Sequence, residues 1–349
     1  MQGNQPLKKV LITGITGQTG SYLADFFVSQ GCEVHGIVRR ASSFNRSRIE
    51  HLRSNPDIYG KQLFLHYSDL DDSTTIRRIL FKTEPDELYH LAGQSHVGLS
   101  FEIPESTFHE TAGATLSILE ICRDLKSPPR IYHASSSEVF GSPTEFPQSE
   151  TTAFRPATPY GCAKAFATNL ATVYRRAHGL FVCNGISYNH ESPRRGENFV
   201  TSKIAAAAAV HARGCLTYLE LGNLNSERDW GYAPEYARGM IHMLQQDTPD
   251  DYVIATGLLT TVRDFALAAY REVGIDLAFE GAGLSEVGFE KDNGKVLIRV
   301  NPHFYRPIEP ERLVGNNSKA EQVLGWKPST TANEVAAIMA RAAYNSLDR

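Results

Sequence analysis

Tyr160 and Lys164 stand four residues apart in "PYGCAK", and "HASSSEVFG" places Ser136, Ser137 and Glu138 upstream of them. On a helix, positions i and i+4 share a face. Tyrosine ordinarily titrates near pH ~10, and a nearby ammonium favours its phenolate. Such a tyrosine takes the proton of an alcohol while a hydride leaves the same carbon. Ser136 is placed to hydrogen-bond the same oxygen. Glu138 is surplus to simple alcohol oxidation. Once the alcohol is a ketone, the neighbouring C–H is acidic, and a carboxylate beside it can remove that proton. A hydroxyl on the next carbon then leaves as water, protonated by the acid just formed. Return of the hydride to the new double bond makes the net change a loss of water without net oxidation.

This chemistry needs a nicotinamide cofactor, and the chain offers a place for one. Gly14, Gly17 and Gly20 are spaced G-x-x-G-x-x-G. They lie between "KKVLITG", an apolar run that reads as a buried strand, and "GQTGSYLADFFVSQG", which reads as a helix closed by Gly31. Glycine lets the backbone approach a pyrophosphate, and the helix start supplies aligned N–H groups. The expected phosphate loop is Gly14, Thr16, Gly17, Gln18, Thr19 and Gly20. The second strand ends in "IVRRASS", where Arg39 and Arg40, with Ser42 behind them, replace the acidic residue that would hold ribose hydroxyls. Guanidinium groups there suit a 2′-phosphate, so NADP is expected rather than NAD. Asp69, followed by Leu70, either accepts from the adenine amine or caps the next helix.

The elements that must position these groups alternate. Strands are expected at "CEVHGIVRR", "KQLFLHY", "PDELYHLAG", "RIYHASS" and "FVCNGISY". Helices are expected near Ser73–Lys82, as one long segment after Pro104, and over Tyr160–His178. Alternation at this spacing predicts an α/β fold, a doubly wound parallel Rossmann sheet. Beyond about residue 190 the pattern loosens into Arg- and Pro-bearing loops, "NHESPRRGENF", "NSERDWG" and "NPHFYRPIEP". Residues 1–188 are read as the cofactor domain with the catalytic residues. Residues 189–349 are read as a smaller C-terminal α/β substrate-binding lobe, with the chain free to cross back to the sheet.

Composition excludes several classes. The 349 residues carry a formal net charge of −4, so no global basic excess points to nucleic acid. The opening "MQGNQPLKKVLITG" has no apolar leader core, and no apolar run reaches the ~18 residues of a membrane span. The 5 cysteines are odd in number with no C-x-x-C pair, which implies reduced thiols and a cytoplasmic location. The 12 histidines form no H-E-x-x-H or H-x-x-x-H, so no metal site is expected.

Over nearly its whole length the chain resembles the extended short-chain dehydrogenase/reductases, and within them the GDP-mannose 4,6-dehydratase family. The resemblance is carried by "GITGQTGSYL", "VHGIVRRASSFN", "LHYSDLDDS", "LAGQSHV", "YGCAKAFA", "NHESPRRGENFVTSKI", "LGNLNSERDWG", "YVIATG" and "FYRP". It implies catalytic roles for Ser136, Glu138, Tyr160 and Lys164, with Ser137 beside them. It implies cofactor contacts from Leu91, Ala92, Gly93, Gln94, Ser95, His190 and Arg195. Lys203, Arg228 and Arg306 would hold the GDP diphosphate and Glu309 the ribose, with Ser95, Asn189, Glu191 and Asn198 also facing the GDP-sugar. It further implies a homodimer or homotetramer with the Arg39 loop at an interface.

The chain departs from the family pattern at Ser136 in place of threonine, Ser106 in place of a cofactor-contacting tyrosine, and Ser202 in place of arginine. The methyl lost at Ser136 makes room for a bulkier sugar such as a GDP-manno-heptose. Three readings stay open beside the mannose dehydratase: a heptose dehydratase, an epimerase or 4-reductase of the same fold, and a non-catalytic NADP sensor. The intact acid and Tyr–Lys pair weigh against the last two.

Overall fold

The computed structural model describes residues 7–40, 45–215, 217–304 and 312–348. Its centre is a seven-stranded sheet. The strands in chain order are β1 (Lys9–Thr13), β2 (Glu33–Val38), β3 (Leu63–Tyr67), β4 (Glu87–His90), β5 (Arg130–Ser136) and β6 (Val182–Ser187). The small β7 (Asn189–Glu191), β8 (Leu219–Leu221), β9 (Glu227–Arg228) and β10 (Trp230–Tyr232) follow, before β11 (Asp251–Ile254) returns to the sheet. The spatial order is β11-β6-β5-β4-β1-β2-β3, parallel throughout. The order reverses between β1 and β4, which opens a crevice at their C-terminal ends.

The strands read as apolar runs because both faces are buried. On β1, Val10 and Ile12 enter one core and Leu11 the other. The first core lies under α1 (Gln18–Ser29). The opposite core lies under α3 (Ser73–Thr83) and α5 (Ala114–Arg123), the short α2 (Glu50–Arg53) and α4 (Pro104–Phe108) falling between them in the chain. The helix foreseen as one segment after Pro104 is continuous: a π-turn at His109–Gly113 joins α4 to α5, with helical backbone at both junctions. The catalytic helix α6 is Pro159–His178. Thr158 caps it by accepting from the Gly161 N–H at 2.9 Å, proline occupies its first position, and Gly179 ends it at φ 67°.

The remaining elements are α7 (Val200–Ala212), α8 (Ala233–Leu244), β12 (Thr260–Thr261), α9 (Val262–Glu272), β13 (Leu277–Glu280), β14 (Val287–Glu290), β15 (Val296–Val300), α10 (Ser318–Leu324) and α11 (Ala332–Ser346). A second core joins α7, α9, α11 and the sheet β13-β14-β15-β8 into the smaller lobe. The chain crosses back on leaving that lobe. Tyr236, Met240 and Leu244 of α8, with Ala320 and Leu324 of α10, belong to the cofactor-side core. A single cut after residue 188 therefore does not separate the cores.

Candidate active site

A cleft of about 1140 Å³ runs from the glycine loop, past α6, to the edge of the smaller lobe. Its floor is built by local constraints. Gly14 has φ 71°, and a Cβ there would meet the Ala92 nitrogen at 3.0 Å. A Cβ on Gly20 would lie 2.3 Å from the Gly14 carbonyl oxygen. Only glycine fits these two positions. Gly17 caps α1 with no side-chain partner, leaving the first N–H groups of a twelve-residue helix without side-chain satisfaction. This cradle fits a dinucleotide pyrophosphate.

Of the expected cofactor residues, Gly14, Thr16, Gly17, Gln18, Thr19, Gly20, Arg39, Asp69, Leu70 and Leu91 through Ser95 all line the cleft. Arg40 is exposed and does not line it. Ser42, Arg306 and Glu309 lie outside the described residues. Asp72, not Asp69, caps α3, accepting from the Thr75 N–H at 2.9 Å, and Asp69 is exposed at the cleft.

Gln18 and Thr19 do more than form the loop. The Gln18 amide donates to the His190 carbonyl at 2.8 Å and accepts from the Ser192 hydroxyl at 2.8 Å. His190 Nδ1 lies 2.9 Å from the Tyr188 carbonyl, so it carries the proton, and Nε2 accepts from Thr19 at 2.9 Å. Burial and the nearby Arg195 lower the His190 pKa to about 4, which keeps the ring neutral. Helix α1 is thereby locked to β7.

The catalytic side chains meet at the C-terminal end of β5. Tyr160, Lys164 and Thr168 lie on the face of α6 turned toward that strand. Thr168 donates to the Lys164 carbonyl and hydrogen-bonds Ser135, each at 2.7 Å. Ser136 ends β5 in extended conformation; its hydroxyl accepts from the Glu138 N–H at 3.3 Å and hydrogen-bonds Tyr160. The 3-10 turn Ser137–Val139 then brings Glu138 to the cleft. The same turn directs Ser137 inward: it is 4% exposed and does not line the cleft.

The electrostatics differ from the sequence expectation. Burial pushes the Tyr160 pKa up to about 12, against lowering by Ser136 and Arg195, and the Glu138 charge raises it further. Lys164 lies buried beside it. Its Nζ donates to the Ala134 carbonyl at 2.8 Å and lies 5.7 Å from the Tyr160 ring centre. Burial lowers its own pKa to about 8.

Asn189, Glu191, Arg195, Asn198, Lys203 and Arg228 also line the cleft. The Glu191 carboxylate, however, is committed within the protein. It accepts from Thr201 at 2.5 Å and pairs with Arg195 Nε at 3.1 Å, and burial raises its pKa. Arg195 in turn stacks on Phe199 at 3.5 Å. Ser106, at a noted departure, donates to Glu110, another cleft residue.

Several residues were missed by sequence reasoning. Arg48 donates to the Thr16 and Arg194 carbonyls at 3.3 and 2.6 Å and so braces the glycine loop. Thr13 accepts from the Leu91 and Ala92 N–H groups, each at 3.1 Å, and bonds His90 Nδ1 at 2.9 Å. Glu220, Asn223, His303 and Phe304 also line the cleft. No local pattern marks these contacts. Among the described residues no group of three or more His, Cys, Asp or Glu is gathered as a metal site, and no helix is long and apolar enough to cross a membrane.

Comparison with known proteins places this geometry. The family model described as GDP-mannose 4,6 dehydratase matches residues 11–339. The chain is 50% identical over 333 residues to GDP-mannose 4,6 dehydratase 2 of Caenorhabditis elegans, covering 94% of this chain and 87% of the relative. It is 46% identical over 341 residues to GDP-mannose 4,6 dehydratase of Homo sapiens, covering 97% and 92%. Among solved structures it is similar in fold to DesIV, a dTDP-glucose 4,6-dehydratase from Streptomyces venezuelae, at TM-score 0.80 and 22% identity, covering 97% of each chain.

Proposed function

The chain belongs to the GDP-mannose 4,6-dehydratase family, and on that premise we propose that it converts GDP-mannose to GDP-4-keto-6-deoxymannose and water. The observation that carries the reading is Glu138, a carboxylate at the cleft whose charge acts on Tyr160. An epimerase or 4-reductase has no step for that acid.

NADP is the cofactor, held by the glycine cradle with Arg39 at the 2′-phosphate. When bound, it supplies the hydride acceptor and donor of a cycle that leaves no net redox change. Tyr160 takes the proton of the sugar 4-hydroxyl, with Ser136 on the same oxygen. With NADP bound, the nicotinamide positive charge would oppose the burial that raises the Tyr160 pKa. Glu138 removes the C5 proton that the 4-ketone has made acidic, then returns a proton to the departing 6-hydroxyl. Lys203 and Arg228, which line the cleft, would hold the diphosphate.

The protein works as a homo-oligomer in the cytoplasm. Phe101, Phe108, Phe166 and Val173 are 62%, 45%, 46% and 54% exposed. The Phe108 and Phe166 rings lie 5.9 Å apart, forming one apolar face across α4 and α6 that suits a second copy. The Arg39 loop is proposed at a further interface. Light scattering on the purified protein distinguishes monomer, dimer and tetramer.

The test of function is incubation with NADP and GDP-mannose, following the sugar by mass spectrometry and the cofactor by absorbance. Loss of one water without accumulating NADPH supports the reading. Stoichiometric NADPH consumption in a reduction assay supports a 4-reductase. An unchanged GDP-mannose with turnover of GDP-manno-heptose assigns the larger sugar, in line with the small Ser136.

A further inference from the structure

We propose that Glu220 selects guanine over other bases, a role that rests on the GDP-sugar reading above. Glu220 lies on β8, exposed, and lines the cleft where the smaller lobe borders it. Its neighbours hold it there. Asn301 accepts the His303 N–H on its side-chain oxygen at 2.8 Å, which orients its amide nitrogen to donate to Glu220 Oε2 at 2.9 Å. This is the only hydrogen bond of the Glu220 side chain among the described residues, so acceptor sites remain on both oxygens. Arg299 is paired with Glu220 in the parallel β15–β8 register, but its guanidinium stacks on Tyr218 at 4.1 Å rather than joining the carboxylate.

The same border of the cleft carries an aromatic ring and a cation. Phe304 is 45% exposed, with Lys203 Nζ 5.3 Å from its ring centre. Gly222 presses against it: a Cβ there would lie 2.3 Å from the Phe304 carbonyl oxygen. A diphosphate held by Lys203 therefore places its nucleoside beside Phe304 and β8. Guanine presents two adjacent donors, N1–H and the 2-amine, which match a carboxylate. Uracil and thymine present one N–H between two carbonyls, which a carboxylate repels. Glu220 thus both attracts the right base and disfavours the wrong one.

Calorimetric titration of the NADP-loaded full chain with GDP, inosine diphosphate and UDP tests this. Inosine lacks only the 2-amine. The wild type is expected to bind GDP about tenfold tighter than inosine diphosphate, the worth of one charge-assisted hydrogen bond, and UDP more weakly still. Glu220→Ala is expected to bring the GDP to inosine diphosphate ratio near one, and Glu220→Gln to reduce it by less. A wild-type ratio retained in both variants overturns the proposal while leaving the GDP-sugar reading intact. A wild type that does not distinguish the two purine nucleotides also overturns it. A wild type that prefers UDP to GDP overturns the reading itself, and the proposal with it.

Discussion

Lys164 Nζ donates to the Ala134 carbonyl at 2.8 Å, joining the catalytic helix to the strand that ends in Ser136. The bond explains how a buried ammonium is held, and it ties the acid–base behaviour of the site to one lysine. Burial lowers the Lys164 pKa from 10.5 to about 8. The charged form is the one that favours a Tyr160 phenolate, so kcat/KM is expected to fall as pH rises through about 8. Stability moves the other way. Between about 8 and 10.5 the unfolded chain binds the proton that the folded one has released, so the Lys164 contribution to stability improves with pH. A pH–rate profile beside melting curves checks both signs; a flat rate across that window refutes the assignment to Lys164.

Glu138→Gln is expected to bind NADP and GDP-mannose, to oxidise the sugar, and to stop before water leaves. Turnover should drop by about 10² to 10⁴, the range for loss of a positioned acid–base group. Mass spectrometry should show no dehydrated sugar, with NADPH rising no further than the enzyme concentration. Normal dehydration by this variant would remove Glu138 from the mechanism.

Glu191→Gln is expected to weaken NADP more than GDP-mannose. The carboxylate pairs with Arg195 and accepts from Thr201. Removing its charge frees Arg195 to leave its stacked position, at a cost of about tenfold or more in NADP affinity. Fluorescence titration of NADP, beside KM for GDP-mannose, separates the two.

Acid is expected to destabilise the fold before the carboxylates titrate. Burial lowers the pKa of His90 to about 3 and of His190 to about 4, both from 6.5. Below pH 6.5 the unfolded chain gains protons that the native chain refuses, so stability falls as pH drops toward about 4. Tm should decline over that window. His190→Gln should flatten the decline; an unchanged slope in that variant would show that other groups control it.

Gly20→Ala is expected to abolish NADP binding or folding, because its Cβ would lie 2.3 Å from the Gly14 carbonyl oxygen. Gly31→Ala, where the Cβ meets nothing within 4 Å, should cost only the strain of its positive φ. Comparing the two by thermal melting with and without NADP tells close approach from turn strain.

Much of this protein is written in local patterns. The glycine spacing, the Thr158–Pro159 cap with its Tyr160–Lys164 pair, and the alternation of strands and helices each depend on residues close in sequence. Backbone sterics and hydrogen bonding within a turn or two are enough to determine them. Tertiary structure decided the rest. The 3-10 turn after β5 sent Ser137 inward and Glu138 outward. Arg195 and Thr201 claimed Glu191, and β11 returned to the central sheet beside β6. Arg48 reached the glycine loop, and Asn301 pinned Glu220 from 81 residues away. These outcomes depend on which distant side chain offers a charge, a hydrogen bond or an apolar face at the moment of packing. Such partners are chosen by proximity in space, which residue types and their spacing do not carry.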